Sequence, residues 1–277
     1  MNQRDVAEVN LHDLQVSDPL IGKCQHLVRE VAIPYQWNAL NDRNPQATPS
    51  HAVENFRIAA GRAKGEFYGT VFQDSDVAKW LEAAAWSLCQ TPNPDLDKAA
   101  DELIELIAAA QCGDDYLNTY FMLKAPQERW SNLAECHELY CAGHLIEAGI
   151  AFFLATGKRR LLDVVCRLAD HLATVFGPER DQLHGYDGHP EIELALTRLY
   201  EVTQEQRYLT LANYFVEQRG TEPHFYDIEH EKRRQSCDVK SHGMPWTVKN
   251  KAYSQARTCQ FRNSGLQPGM RCVLYTS

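Results

Sequence analysis

At 277 residues the chain has room for one large domain or two modest ones, and 44% hydrophobic residues with 10% aromatics can bury a sizeable core. Twenty-eight Lys and Arg against 37 Asp and Glu leave a net charge of -9 and no basic stripe, which argues against nucleic acid or an anionic membrane as partner. The opening MNQRDVAEVNLHDLQVSDPL has no apolar core of signal-peptide length, no later stretch is expected to span a membrane, and none of the nine cysteines forms Cys-x-x-Cys, so a reduced, cytoplasmic compartment is expected.

In chain order, residues 1–34 read as extended or irregular, because Pro34 disfavours helix at Ile33. Residues 35–42, YQWNALND, follow as a polar-aromatic loop or first-helix end, and 44–50 as a connection. Ser50 is placed to cap a helix running from His51 through Ala60. Residues 65–74 connect again, with Phe67, Tyr68 and Phe72 facing whatever this segment covers. From Asp76 the apolar period becomes regular: Val77, Trp80, Leu81, Ala84 and Leu88 mark one helix face, and Leu96, Ala99, Ala100, Leu103, Ile104 and Ile107 the next. Thr91-Pro92-Asn93-Pro94 separates the two helices.

The same hairpin recurs at 143–176, turning at Thr156-Gly157, and at 190–218, turning at Thr203-Gln204. Ile146-Glu147 pairs with Ile192-Glu193, Thr156 with Thr203 and Arg160 with Arg207, at offsets of 46 to 47 residues. That period belongs to stacked helical hairpins. Residues 132–149, NLAECHELYCAGHLIEAG, are read as a helix capped by Asn132, with His137 and His144 one heptad apart on a face shared by Tyr140, Cys141 and Glu147. Polar clusters also lead into neighbouring helices at 111–120 (QCGDDYLNTY) and 184–193 (HGYDGHPEIE). Asp, Asn, His, Tyr and Trp are the groups that hydrogen-bond and stack on sugars. Gathered on one side, they favour a closed α/α toroid with a carbohydrate pocket over an open solenoid that binds a peptide.

Local tests for other chemistry fail. His137-Glu138 begins like a zinc-protease helix, but position 141 is Cys, and histidines a heptad apart make no tight chelate. There is no Gly-x-Ser-x-Gly and no glycine-rich phosphate loop. Glu135, Glu138, Glu147, Glu191 and Glu193 leave room for a glycosidase acid/base pair, although most helix glutamates are solvated or capping.

NLAECHELYCAGHLIEA, ATGKRRLLDVVCRLADHLATVFGP and GYDGHPEIELAL closely resemble the family 127 glycoside hydrolases, the β-L-arabinofuranosidases. IPYQWNALND, DDYLNTYF and KAYSQA fit the same family in the same order, so the resemblance covers roughly residues 15 to 256. It implies an all-α fold, here an incomplete (α/α)6 toroid over residues 1–256, without the family's appended β-sandwich domains. It also implies retaining removal of a terminal β-L-arabinofuranose by a zinc-bound cysteine nucleophile and a glutamate acid/base, acting on an L-arabinofuranoside-containing glycan or oligosaccharide. Gln36, His144 and His189 match family positions that hold the sugar's hydroxyls. Asp115 stands where the family usually has glycine, which puts the turn before Tyr116 in doubt. The family's acid/base glutamate and zinc ligands lie beyond KAYSQA, so no catalytic residue and no metal or other cofactor is expected in this chain, and Cys259 and Cys272 are not that site.

Residues 257–277 depart from the family, which continues His-Leu-Pro-Val and later Gly-His-Ala-Val-Arg. Synonymous codons for Thr258 onward can be regrouped, starting with the last base of the Arg257 codon, to restore both motifs. A shifted reading frame, from one duplicated GC pair across the codons of Ala256 and Arg257, is the reading here; a lineage-specific terminus is the alternative. An incomplete toroid would leave apolar helix flanks without neighbours, so marginal stability or self-association through the open edge is expected. Three functions follow: an arabinofuranosidase by descent that is inactive as this chain, a non-catalytic carbohydrate-binding remnant, or a different toroid sugar enzyme such as an epimerase or unsaturated-uronide hydrolase.

Overall fold

Asp18 opens the first helix, α1 (Pro19–Leu27), by accepting hydrogen bonds from the amides of Leu20 and Ile21, with Pro19 in the first turn. The protein is seen here as a computed structural model describing residues 11–14 and 16–238. It contains two compact units, Met1–Glu229 and His230–Ser277, and the architecture below belongs to the first. The second is described only to Asp238, so KAYSQA and the divergent residues 257–277 lie outside the described residues.

Over residues 19–34 the irregular reading of 1–34 is corrected, while residues 1–10 lie outside the described residues. From α1 the chain continues through a wide π turn, Val28–Ala32, into α2 (Ile33–Leu40), so YQWNAL is helical. Proline inside a helix lacks a donor and presses its ring on the carbonyl four residues back; the widened turn just before Pro34 relieves that conflict. Trp80 Nε1 donates to the Ile33 carbonyl at 3.1 Å, and Trp37 stacks on Trp80 with centroids 4.3 Å apart. These contacts fasten α2 to α4 (Asp74–Gln90).

Ser50 does not cap the next helix, α3 (Ala52–Ala59), because His51 takes a left-handed φ of 55° before it. The Asp42 carboxylate instead accepts from the amides of Ser50 (2.6 Å) and His51 (2.9 Å). Buried Asn55 bonds both the amide and the carbonyl of Tyr68, which pins the following loop. That loop buries Phe67 and leaves Tyr68 and Phe72 exposed.

Asn93 caps α5 (Pro94–Ala110) by accepting from the Leu96 amide, with Pro94 at the first turn. Then come α6 (Thr119–Leu123), α7 (Glu138–Thr156), α8 (Arg160–Val175), α9 (Glu191–Thr203), α10 (Gln206–Gln218) and α11 (Phe225–Asp238). In the first unit α2, α4, α7 and α9 stand side by side as an inner layer, while α5, α8 and α10 back them as an outer layer. The fold is all-α, an (α/α)6-toroid type built of helical hairpins, with no strand among the described residues. Successive hairpins run inner helix then outer helix, so the segments leading into the inner helices gather at one end.

The expected repeat is physical. Thr156 and Thr203 each fold their hydroxyl onto the carbonyl four residues back, at 2.6 and 2.7 Å. Glu147 and Glu193 are both buried on inner helices and each meets an arginine from a later element, Arg198 and Arg219. Arg160 and Arg207 each open an outer helix and reach back to an acid on the preceding one, Glu105 at 2.8 Å and Asp170 at 2.6 Å. One expectation fails: α7 is long and apolar enough to cross a membrane, with mean hydropathy 1.5. Its apolar surface is buried between α4, α8 and α9, which accounts for that composition inside a helical core.

Candidate functional site

Buried carboxylates fix the three polar lead-in segments. Asp74, at the start of α4, accepts from the amide (2.6 Å) and hydroxyl (2.5 Å) of Thr119. Glu138, at the start of α7, accepts from the Tyr116 hydroxyl at 2.5 Å and the Trp130 amide at 2.6 Å. Asp187 has no exposed surface; its carboxylate accepts from the amides of His189 (2.8 Å) and Tyr140 (3.3 Å), and its carbonyl from the Tyr226 hydroxyl (2.6 Å). Glu229 accepts from the amides of Leu133 and Ala134. A Cβ on Gly188 would lie 2.3 Å from the Ala134 carbonyl oxygen, so only glycine lets these two segments approach so closely.

Helix α7 therefore starts later than the sequence suggested. Asn132 accepts from the Glu135 amide and caps a local turn instead of the helix, and His137 precedes α7 with a left-handed φ of 57°. The turn before Tyr116 survives the loss of glycine: Asp115 adopts φ 64°, its carbonyl accepts from Gln111 Nε2, and Arg167 lies 3.3 Å from its carboxylate.

His144 and His189 come together around Tyr140. The Tyr140 ring meets His144 edge-on with centroids 4.4 Å apart, and lies 5.2 Å from His189 and 5.6 Å from His137. Gln36 is on the exposed side of α2, in a neighbouring groove of about 320 Å³ lined by Ser50, Asp76, Lys79 and Trp80. Lys79 joins the two places, because its ammonium donates to the Tyr140 hydroxyl at 2.8 Å. Gln36 thus shares its groove with Lys79, and Lys79 touches the tyrosine on which His144 and His189 meet.

Burial, helped by the charges of Lys79 and His189, pulls His144 down to about 4. Its Nδ1 lies 3.3 Å from the Glu191 carboxylate, and since those influences oppose the imidazolium, this is a contact of neutral imidazole and no ion pair. A neutral imidazole both donates and accepts, which suits a sugar hydroxyl. Gly143 allows the approach: a Cβ there would lie 3.2 Å from the Ile192 amide nitrogen.

The five glutamates that left room for an acid/base pair divide by environment. Burial raises Glu138 to about 8 and Glu147 to about 7, as it raises Asp187 to about 7. Raised carboxyls often mark catalysis, yet Glu138 is committed to Tyr116 and Trp130, Glu147 to Arg198 and Glu193 to Arg219. Glu135 is exposed, and half-buried Glu191 faces His144. These contacts describe scaffold groups. Lys79 escaped sequence reasoning because nothing in the chain links position 79 to position 140; Asp187 was only one polar letter in a cluster.

Among the described residues no three His, Cys, Asp or Glu side chains converge in a way that could hold a metal ion. That side-chain arrangement does not fit the zinc that the family resemblance implies.

The model of the β-L-arabinofuranosidase GH127 catalytic domain matches residues 13–260. The non-reducing end β-L-arabinofuranosidase of Bifidobacterium longum subsp. longum is 44% identical over 230 residues, 77% of this chain and 35% of that protein. The crystal structure of a GH127 β-L-arabinofuranosidase from Geobacillus stearothermophilus T6 is 58% identical, with TM-score 0.78 over 79% of this chain and 35% of its own. A second solved GH127 β-arabinofuranosidase is 32% identical, with TM-score 0.71 over 80% of this chain and 36% of its own. The chain spans about a third of the length of these relatives. Together with the toroid-type hairpins, a match of this extent establishes that the chain belongs to the GH127 β-L-arabinofuranosidase catalytic-domain family.

Proposed function

We propose that this chain carries the sugar-holding wall of a β-L-arabinofuranosidase, with Gln36, His144 and His189 hydrogen-bonding the hydroxyls of a terminal β-L-arabinofuranose. The observation that carries this reading is the meeting of neutral His144 with His189 on Tyr140, beside the groove that holds Gln36. The described residues contribute orientation and no nucleophile, so the chain alone binds an arabinofuranoside without hydrolysing it. Titrating the purified chain with methyl β-L-arabinofuranoside tests this. Saturable binding is expected, lost in His144→Ala and His189→Ala, with no arabinose released with or without added zinc. Turnover in the absence of zinc would instead favour a toroid enzyme working through its own carboxylates.

The shifted-frame reading of residues 257–277 belongs to the same proposal. Deleting two bases at the codons of Ala256 and Arg257 should restore a family-like sequence, and in the repaired full-length gene hydrolysis should appear only after the deletion. Self-association through an open edge is supported by the exposed apolar residues Leu20, Leu27, Val28, Val31 and Tyr35 along α1, the π turn and α2. Sedimentation that stays monomeric at high concentration, with a sharp melt at high temperature, would remove it.

A further inference from the structure

Between the Gln36 groove and the histidine pair, the Tyr140 hydroxyl is held in a constrained geometry. Lys79 Nζ donates to the Tyr140 hydroxyl at 2.8 Å and reaches the Ser75 hydroxyl at 3.3 Å. An ammonium has donors only, so the phenol oxygen must be the acceptor and its own hydrogen must point elsewhere. Among the described residues no protein acceptor takes that hydrogen. The ring cannot swing freely: His144 packs on it at 86°, His189 and His137 flank it, and the Tyr140 amide is anchored on Asp187.

We infer that Tyr140, aimed by Lys79, is a further sugar-contacting residue, donating its phenol hydrogen to a pentose oxygen between Gln36 and the histidine pair. The inference rests on the arabinofuranose pocket proposed above and adds its missing donor. Lys79 is a positioning residue here. It lines the groove with Gln36 while holding the hydroxyl of the ring on which the histidines pack, so one cation reaches both the groove and the tyrosine. Half-buried Tyr140 keeps surface at which its hydroxyl can donate a hydrogen bond to a ligand.

The test is titration calorimetry of the full chain with methyl β-L-arabinofuranoside, on wild type, Tyr140→Phe, Lys79→Met and the double variant. Loss of one neutral hydrogen bond predicts about tenfold weaker binding for Tyr140→Phe. Lys79→Met should weaken binding by a smaller factor. The double variant should bind like Tyr140→Phe alone, because Lys79 acts through the tyrosine. Thermal melts report whether each variant is folded. As a second measurement on unaltered protein, methyl arabinofuranosides lacking one hydroxyl at a time should show one position whose loss matches that of Tyr140→Phe. Wild-type binding with an undiminished Tyr140→Phe, or a double variant whose losses simply multiply, overturns this inference alone. No binding by wild type overturns it together with the pocket.

Discussion

Hairpins α7–α8 and α9–α10 answer the same structural problems with matching residues, and they differ in how enclosed the answers are. Each inner helix buries a glutamate against a later arginine, each turn is closed by a threonine hydroxyl, and each outer helix begins with an arginine reaching backward. Yet α7 is walled by α4, α8 and α9, whereas α9 has α7 and α10 as its principal neighbours. The turn after α7 uses Gly157 at φ 75°, and the turn after α9 forces Gln204 to φ 60°. The repeat therefore conserves positions of bonding while tolerating a poorer residue where the backbone alone can absorb the cost.

Cutting the buried pairs should have the largest effect. Arg219→Ala leaves buried Glu193 without its charge partner, whereas Arg198→Ala lets Glu147, already raised to about 7 by burial, take up a proton. Stranding a buried charge costs about 3–5 kcal/mol, on the order of 10 °C in a domain of this size. The arginine side chains are 21% and 30% exposed, so Arg219→Ala should be the more damaging. Adding Glu147→Gln to Arg198→Ala should recover much of that melting temperature. Equal, small losses in both variants would show that the repeated pair is ornamental.

Acidity should separate the hairpins next. Burial raises Glu138 to about 8, Glu147 and Asp187 to about 7, and Asp74 to about 6, from ordinary values of 4.5 or 3.8. Between those limits the folded chain holds more protons than the unfolded one, so stability falls as pH rises. The stabilisation is fully present below about 4 for these groups and is lost as pH climbs through 6 to 8. Melting should be several degrees higher at pH 5 than at pH 8.5, and Glu147→Gln should flatten the slope. A curve rising with pH across that window would reverse the assignment.

The repeat was readable in advance because its spacing, its threonines and its arginines are all local letters with a fixed offset. The start of the chain was not. Asp18-Pro19 is a good helix opening, but Pro34 reads as a stop, and only the π turn and the Trp80 bond to Ile33 show how the helix survives it. Ser50 and Asn132 look like caps, yet Asp42 holds the amides before α3, and Asn132 closes a turn ahead of α7. At the site, His144 and His189 came from family pattern. Lys79 could not, since its partner is 61 positions away and meets it only through the packing of α4 on α7.

The turns give a smaller contrast. Gln204→Gly relieves a left-handed side chain and should stabilise by about 1 kcal/mol, the gain limited by the freedom glycine adds to the unfolded chain. Gly157→Ala should destabilise by a similar amount, although nothing lies within 4 Å of its would-be Cβ, because its cost is purely conformational. Thermal melts of the two variants moving in the same direction would mean that side-chain contacts, not backbone strain, govern these turns.

The outer arginines should matter least, for a reason that completes the contrast with the inner pairs. Arg160 and Glu105 have side chains 52% and 54% exposed, and Arg207 and Asp170 50% and 44%. Arg160 does hold Glu105 below the ordinary carboxylate range, chiefly by its hydrogen bond. Water and salt already compensate each charge, so the fork geometry returns little beyond the entropy of holding two long side chains. Arg160→Ala and Arg207→Ala should each cost less than about 1 kcal/mol, and the difference from wild type should shrink further in high salt. A loss rivaling that of Arg219→Ala would mean that the outer layer closes on something that shields these pairs from solvent, and would move the seat of repeat-to-repeat coupling from the inner helices to the outer ones.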